Sequence, residues 1–336
     1  MSTIKDVATK SGVSIATVSR VLNKKGHYTK ETEEKVWNAI RELNYTVHAA
    51  AKSLKTGLTG TVGIIIEDFY IIRFPELISN AVSTLNTHGL SAEILRRNLP
   101  GECSVLMHEG KFDGLLMIYS LRDDATLRRL TQEGVNFVIV GGDTELEDVN
   151  LVEVDYFQGG YEATKQLISM GHENILFIED NPRLYYTQEI KRGYLFALDE
   201  YGIQFTEELI QQGSDPFPLN KESEGYRAIA TKSSYHSFTA VLTTDDRIAW
   251  GVVKAAFDCN INIPKNLSVI GFGDLSGSAY INPPLSTVNT PAGEMGELGA
   301  EILAGNIRRR DSVIKRVKLK TRLILRETTA KRLTVS

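Results

Sequence analysis

Two cysteines, Cys103 and Cys259, are all the thiols in 336 residues. They cannot build a disulfide framework or a four-cysteine zinc site, and isolated thiols usually serve as small buried hydrophobes. No run approaches 18 consecutive apolar residues, and the opening MSTIKDVATK lacks the apolar segment of a secretory signal. A membrane span is therefore not expected, and the chain is expected to stay in the cytoplasm. The six histidines, His108, His172 and His236 among them, show no ligand spacing and read as surface or helix-end residues. The phosphate loop G-x-x-x-x-G-K-[ST], the zinc motif H-E-x-x-H and the nucleophile elbow G-x-S-x-G are all missing. GFGDLSG follows an apolar run, but its glycine spacing is not the dinucleotide fingerprint, and no complete βαβ unit with a distal acid surrounds it. Neither an enzyme nor a bound cofactor or metal is expected.

What is present is ordinary globular composition, 42% hydrophobic and 24% charged, in a length that suits two or three domains. The net charge of -4 hides an asymmetry. Residues 1–58 hold ten Lys or Arg against five Asp or Glu, net +5, and the remainder holds 28 against 37, net -9. A small basic module on an acidic body suits a protein that touches a polyanion with one end only.

That basic module reads as three short helices. Thr3 and Asp6 make a capping-box pattern ahead of a helix from Ile4 to Ser11, and Gly12 ends it. Ser14 stands at a second N-cap, before a helix from Ile15 to Leu22 whose Val18, Val21 and Leu22 share one face. Thr17 and Arg20 lie on the other. A third helix runs from Thr29 to about Leu43, and its Val36, Ile40 and Leu43 can close a mini-core with Ile4, Val7 and Val13. Helix, tight turn, helix and bracing helix is the helix-turn-helix plan.

The residues TIKDVATKSGVSIATVSRVLN, followed by ETEEKVWNAIRELNY, closely resemble the DNA-binding head of the lactose/galactose repressor family of bacterial transcription regulators. The resemblance continues to LILRETT near the C-terminus. It implies that the second helix enters the major groove, with Ile15, Ala16 and Arg20 at base edges. Arg20 can fork onto a guanine, whereas Ile15 and Ala16 offer apolar contact to a thymine methyl. Ser14, Thr17, Ser19, Asn23 and His27 fall where the family touches phosphate or sugar. YTVHAAAKSLKTGLTG resembles the hinge helix, which pairs with its copy from a second subunit in the minor groove and wedges a leucine, here Leu54, into the central step. Tyr45, His48 and Ala51 belong to the same contact. The segment carries Val47, His48 and Lys52 where proline, asparagine and arginine are common in the family.

From Thr61 apolar strands alternate with amphipathic helices, which argues for doubly wound parallel sheets. VGIIIE, LSAEILR, GLLMIYS and FVIVGG form a first half and LVEVD a crossover. NILFIED, ELIQQG, AVLTTDD and LSVIGFGD form a second half of like design. The last sixty residues fit a return helix and strands. The expected class is therefore α/β, a three-helix head on a bilobed, periplasmic-binding-protein-like core. The expected domains are a head over 1–44, a hinge over 45–59 and a core over 60–336. The first lobe takes about 60–156 and 291–321, the second about 157–290 and 322–336. Residues 98–111 are short where the family usually has a full helix.

Bilobed cores bind ligands where the carboxyl ends of their strands meet. Asp246, in TTDDRIAWG, matches the family's ligand-binding aspartate, although Asp245 or Asp246 would cap a helix in any protein. Asp143 and Asp274 follow strands in the same way. Phe217 matches an aromatic position on which a sugar could stack, or anchors its loop. Glu67, Ile71 and Phe74 lie around the end of the first strand, and Thr290 is a further candidate. Ile190 stands where family members often carry a hydroxyl-clamping arginine, which leaves Gln188, Lys191 or Arg192 as alternative donors. The resemblance implies a homodimeric regulator, a repressor of a carbohydrate-utilisation operon. Its partners are double-stranded operator DNA and a sugar-like effector, galactose or a galactoside, with no membrane. The alternative is a cytoplasmic sugar-binding sensor without a DNA-binding role.

Overall fold

The computed structural model describes residues 4–22, 26–43, 58–66, 75–96, 107, 110–118, 124–213, 220–231, 238–309 and 313–332. The chain divides into two compact units, Met1–Thr59 and Gly60–Ser336.

In the first unit, α1 (Ile4–Ser11), α2 (Ile15–Leu22) and α3 (Lys30–Glu42) surround one small core. Val7, Ala8, Val18, Val21, Val36, Ala39 and Ile40 are buried together, with Val13, Leu22, Tyr28 and Leu43 packed against them. Gly12 turns the chain at φ +71°, a conformation that costs glycine nothing. Ser14 Oγ then accepts from the Thr17 N–H at 3.1 Å and starts α2. Thr29 does the same for α3 through the Thr32 N–H at 3.2 Å.

The second unit holds two six-stranded sheets. The first takes β1 (Thr61–Ile66), β2 (Ser91–Arg96), β3 (Gly114–Ile118), β4 (Phe137–Val140), β5 (Asn150–Val154) and β11 (Arg316–Leu319), in the order β11-β5-β4-β3-β1-β2. The second takes β6 (Ile175–Glu179), β7 (Ile210–Gln212), β8 (Ala240–Thr243), β9 (Ser268–Gly273), β10 (Ser286–Asn289) and β12 (Arg322–Ile324), in the order β12-β10-β9-β8-β6-β7. Both sheets are parallel except where β12 runs antiparallel to β10. Strands such as Ile64–Ile66 and Val138–Val140 are buried along their length, as the helices on both faces of a parallel sheet require.

Those helices are α4 (Pro75–Thr87), α5 (Asp124–Gln132), α6 (Tyr156–Ser169), α7 (Tyr185–Glu200), α8 (Lys221–Ala230), α9 (Asp246–Asp258) and α10 (Ala292–Arg309). The chain passes from the first sheet to the second after β5, returns through α10, and crosses once more between β11 and β12. Each lobe is thereby assembled from distant stretches of sequence. His172 is a helix-end residue, yet it is buried rather than on the surface. Its ring nitrogens meet Thr239 Oγ1 at 2.8 Å and the Ala330 carbonyl at 3.0 Å, pinning the C-terminal stretch, and burial pushes its pKa down.

Candidate functional sites: the head helix and the charged cluster at the strand ends

On α2, the buried face of Val18 and Val21 leaves Ile15, Ala16 and Arg20 exposed on the opposite side. Ile15 is 44% exposed. Arg20 has no ion pair among the described residues, and its stem runs beside Gly26, where a Cβ would stand 3.5 Å from Arg20 Cδ. Ser14 and His27 are exposed, and Thr17 and Ser19 are half-buried. Asn23 and the hinge residues Tyr45, His48, Ala51 and Leu54 lie outside the described residues.

In the core, the carboxyl ends of β6 and β8 bring together groups far apart in sequence. Asp180 follows β6, Asp245 follows β8, and Lys221 opens α8. Lys221 Nζ donates to Asp180 Oδ2, and to Asp245 Oδ2 at 2.9 Å. The Tyr186 hydroxyl donates to Asp180 Oδ2 at 2.6 Å. Asp245 Oδ1 accepts from the Arg247 N–H at 2.9 Å, so Asp245 is also the cap of α9. The Asp180 N–H donates to Thr244 Oγ1 at 2.9 Å, tying the two strand ends. Lys221, Asp180, Asp245 and Arg247 are all buried. Burial alone would lower the Lys221 pKa, but Asp245, the Tyr186 hydroxyl and Asp180 outweigh it and hold the ammonium well above its ordinary value.

Asp246 forms a different set. Its fully buried carboxylate accepts from the Leu275 N–H at 2.7 Å, from Ser278 Oγ at 2.7 Å and from Thr287 Oγ1. It thus ties the start of α9 to β10 and to the loop after β9. Burial pushes its pKa up to about 6 against those three hydrogen bonds. Asp274 pairs with Arg326 at 2.7 Å, and Thr290 is buried with its hydroxyl 3.3 Å from the Gly273 carbonyl. The loop GFGDLSG spends the Leu275 N–H on Asp246.

Ile190 is fully buried at the crossing of α6 and α7, where its backbone lies against Gly160. Each alternative donor already has a partner within the chain. Gln188 Nε2 donates to the Pro182 carbonyl at 3.0 Å, Lys191 Nζ lies 3.2 Å from Glu179, and Arg192 pairs with Glu189 at 2.9 Å while lying over the Phe157 ring. The cations of the Asp180–Asp245 cluster are Lys221 and Arg247, and sequence reasoning passed over Lys221. One signal marked it: a lysine at the first position of a helix opposes the helix dipole and needs a carboxylate nearby.

Tyr156, just after the β5 crossover, packs against Tyr185, Tyr186 and Phe272 with ring centroids 6.0–6.2 Å apart. Beside this aromatic junction lie Asp143, Glu153 and Glu189. Burial raises Glu153 and Glu189, Asp143 raises both further, and Lys318 opposes. Burial likewise holds the Tyr185 phenol far above its usual range. Glu67, Ile71, Phe74 and Phe217 lie outside the described residues, as does most of the short stretch 98–111.

A separately folded basic head and a two-lobed α/β core with polar groups at its strand ends define a ligand-responsive DNA-binding regulator. Comparison with known proteins gives the family. Residues 3–48 match the description "Bacterial regulatory proteins, lacI family", and residues 164–329 match a "Periplasmic binding protein-like domain". The chain is 32% identical to the HTH-type transcriptional regulator RegA of Clostridium saccharobutylicum, over 98% of this chain and 99% of that protein. It is 32% identical to the ribose operon repressor of Haemophilus influenzae, over 97% and 98%. Among solved structures, a lac repressor dimer bound to operator superposes with a TM-score of 0.83 at 23% identity, covering 98% of this chain and 99% of that one. A transcriptional regulator CelR–cellobiose complex superposes at 0.72 with 25% identity, covering 98% and 100%. The chain belongs to the lacI family of bacterial regulatory proteins. It is a DNA-binding transcriptional regulator controlled by a small-molecule effector and not an enzyme. Among the described residues, no helix is long and apolar enough to cross a membrane.

Proposed function

We propose that the protein works in the cytoplasm as a homodimeric repressor of a carbohydrate-utilisation operon, whose hold on operator DNA changes when a sugar enters the interlobe cleft. The observation that carries this reading is the cluster of Lys221, Asp180, Asp245, Arg247 and Tyr186 at the carboxyl ends of the second sheet. Two cations meet two carboxylates there, so the cluster is charge-balanced. A neutral polyol can exchange hydrogen bonds with it without leaving a net buried charge. Asp246, Asp143 and Thr290 support the cluster's surroundings in this reading. Asp246 does so by holding the loop after β9.

On the DNA side, Ile15, Ala16 and Arg20 read bases, while Ser14, Thr17, Ser19, Asn23 and His27 contact the backbone. Tyr45, His48, Ala51 and Leu54 engage the minor groove. Galactose or a galactoside is the first effector to test, beside the ribose and cellobiose named for similar proteins. Coupling is reciprocal: DNA changes the sugar's affinity by the factor by which the sugar changes the DNA's.

The experiment measures binding to pseudopalindromic duplexes at two salt concentrations, with and without each sugar. A steep loss of affinity with salt and a sugar-dependent shift are expected. Sugar binding with no duplex affinity at any salt would instead establish a sensor without a DNA role.

A further inference from the structure

α8 and α9 pack backbone against backbone, because a Cβ at Gly225 would overlap the Ile248 carbonyl and one at Gly251 the Glu222 carbonyl. The residues beside these glycines, Tyr226 and Trp250, border a groove of about 420 Å3 whose other walls are Asn220, Glu222, Ser223 and Lys254. None of Lys221, Asp180, Asp245, Arg247 and Tyr186 lines this groove.

The Trp250 ring is held in place before anything binds. Its indole N–H donates to Ser278 Oγ at 3.2 Å, Ser278 donates to Asp246, and the six-membered ring lies so close to Gly277 that a Cβ there would come within 2.9 Å. The Tyr226 hydroxyl donates to Asp258 at 3.2 Å. Lys254, the cation on the rim, is committed to both oxygens of Asp258 at 2.5 and 2.6 Å. Glu222 is half-buried and has neither an ion pair nor a side-chain hydrogen bond among the described residues.

We propose that this groove binds a small organic cation, an ammonium or quaternary ammonium head group seated against Tyr226 and Trp250 with Glu222 as its counter-charge. Aromatic faces attract cations through the ring quadrupole, most strongly for tryptophan and where water is excluded. A carboxylate already partly desolvated gains more from such a partner than a fully hydrated one does. Two anchored rings also lose little freedom on binding, which removes a usual cost of association. The same carboxylate disfavours anions, and a neutral ring of equal size would forgo its attraction.

The test uses the full chain with Trp37→Phe, which leaves Trp250 as the one tryptophan of the original two. Choline and its neutral isostere 3,3-dimethyl-1-butanol are titrated at constant ionic strength, without DNA or sugar, while Trp250 fluorescence is followed. Saturable choline binding is expected, at least about fivefold tighter than the neutral alcohol. Glu222→Gln should erase that preference while leaving the weak alcohol binding unchanged. Tyr226→Ala should weaken choline without altering the melting temperature by more than a few degrees. Absence of saturable choline binding, equal affinity for the two probes, or full choline affinity in the Glu222→Gln protein would each overturn the proposal.

Discussion

Lys221 Nζ lies 2.9 Å from Asp245 Oδ2, with Asp180 on the same ammonium, although these residues come from three different strand–helix units of the second lobe. A cation at a helix start and carboxylates at two strand ends are each unfavourable when buried alone. Together they satisfy one another and fix how β6, β8 and α8 meet. Tyr186 joins the cluster from α7 and touches Tyr156 at the crossover, so the cluster and the interlobe junction share one packed aromatic.

Lys221→Ala should therefore destabilise the core by roughly 3–5 kcal/mol, because it leaves two buried carboxylates with Arg247 as the one cation of the cluster. Lys221→Met keeps most of the stem and should recover little, since the loss is one of charge and not of packing. Urea denaturation of both variants measures this. A Lys221→Ala protein as stable as the parent would show that the cluster contributes nothing.

Asp246 supplies a pH dependence of defined sign. Burial raises its pKa to about 6 in the folded chain, above the ordinary carboxylate value of 3.8. Its contribution to stability is fully present below that ordinary value and is lost as pH rises through about 6. Asp246→Asn carries no titrating proton, so the difference in unfolding free energy between variant and parent should change steadily from pH 4 to 6.5 and level off above. A difference that stays constant over that interval would contradict the assignment.

Arg20→Ala should relax base preference at one position in each half-site and cost about 1–3 kcal/mol per arm. The head should still fold, because Arg20 has no ion pair among the described residues and Val18 and Val21 remain buried. Selection from a randomised operator pool reads the change directly. An unaltered consensus would remove Arg20 from base recognition.

Much of the architecture could be read before any coordinates. The caps at Ser14 and Thr29, the glycine turn at Gly12 and the apolar stripes of the head are local signals, and the helices follow them. The buried strands announce themselves as short apolar runs bounded by polar turns. Helix starts were less legible. The apolar pattern places α6 at Gly159 and α9 at Ile248, whereas Asp155 and Asp245 cap helices that begin at Tyr156 and Asp246. Hydrophobic periodicity does not register the polar or capping residues of the first turn, so it lags the cap by three or four residues.

The order of the residues by itself determined that a basic three-helix head precedes an α/β core, because periodicity, capping and charge segregation act between near neighbours. It did not determine which aspartate faces which cation. Asp246 bonds Leu275, Ser278 and Thr287, and Lys221 bonds Asp180 and Asp245. Pairings across 24 to 41 residues exist only after the sheet has closed, when desolvation obliges each buried charge to find a partner that no local pattern names.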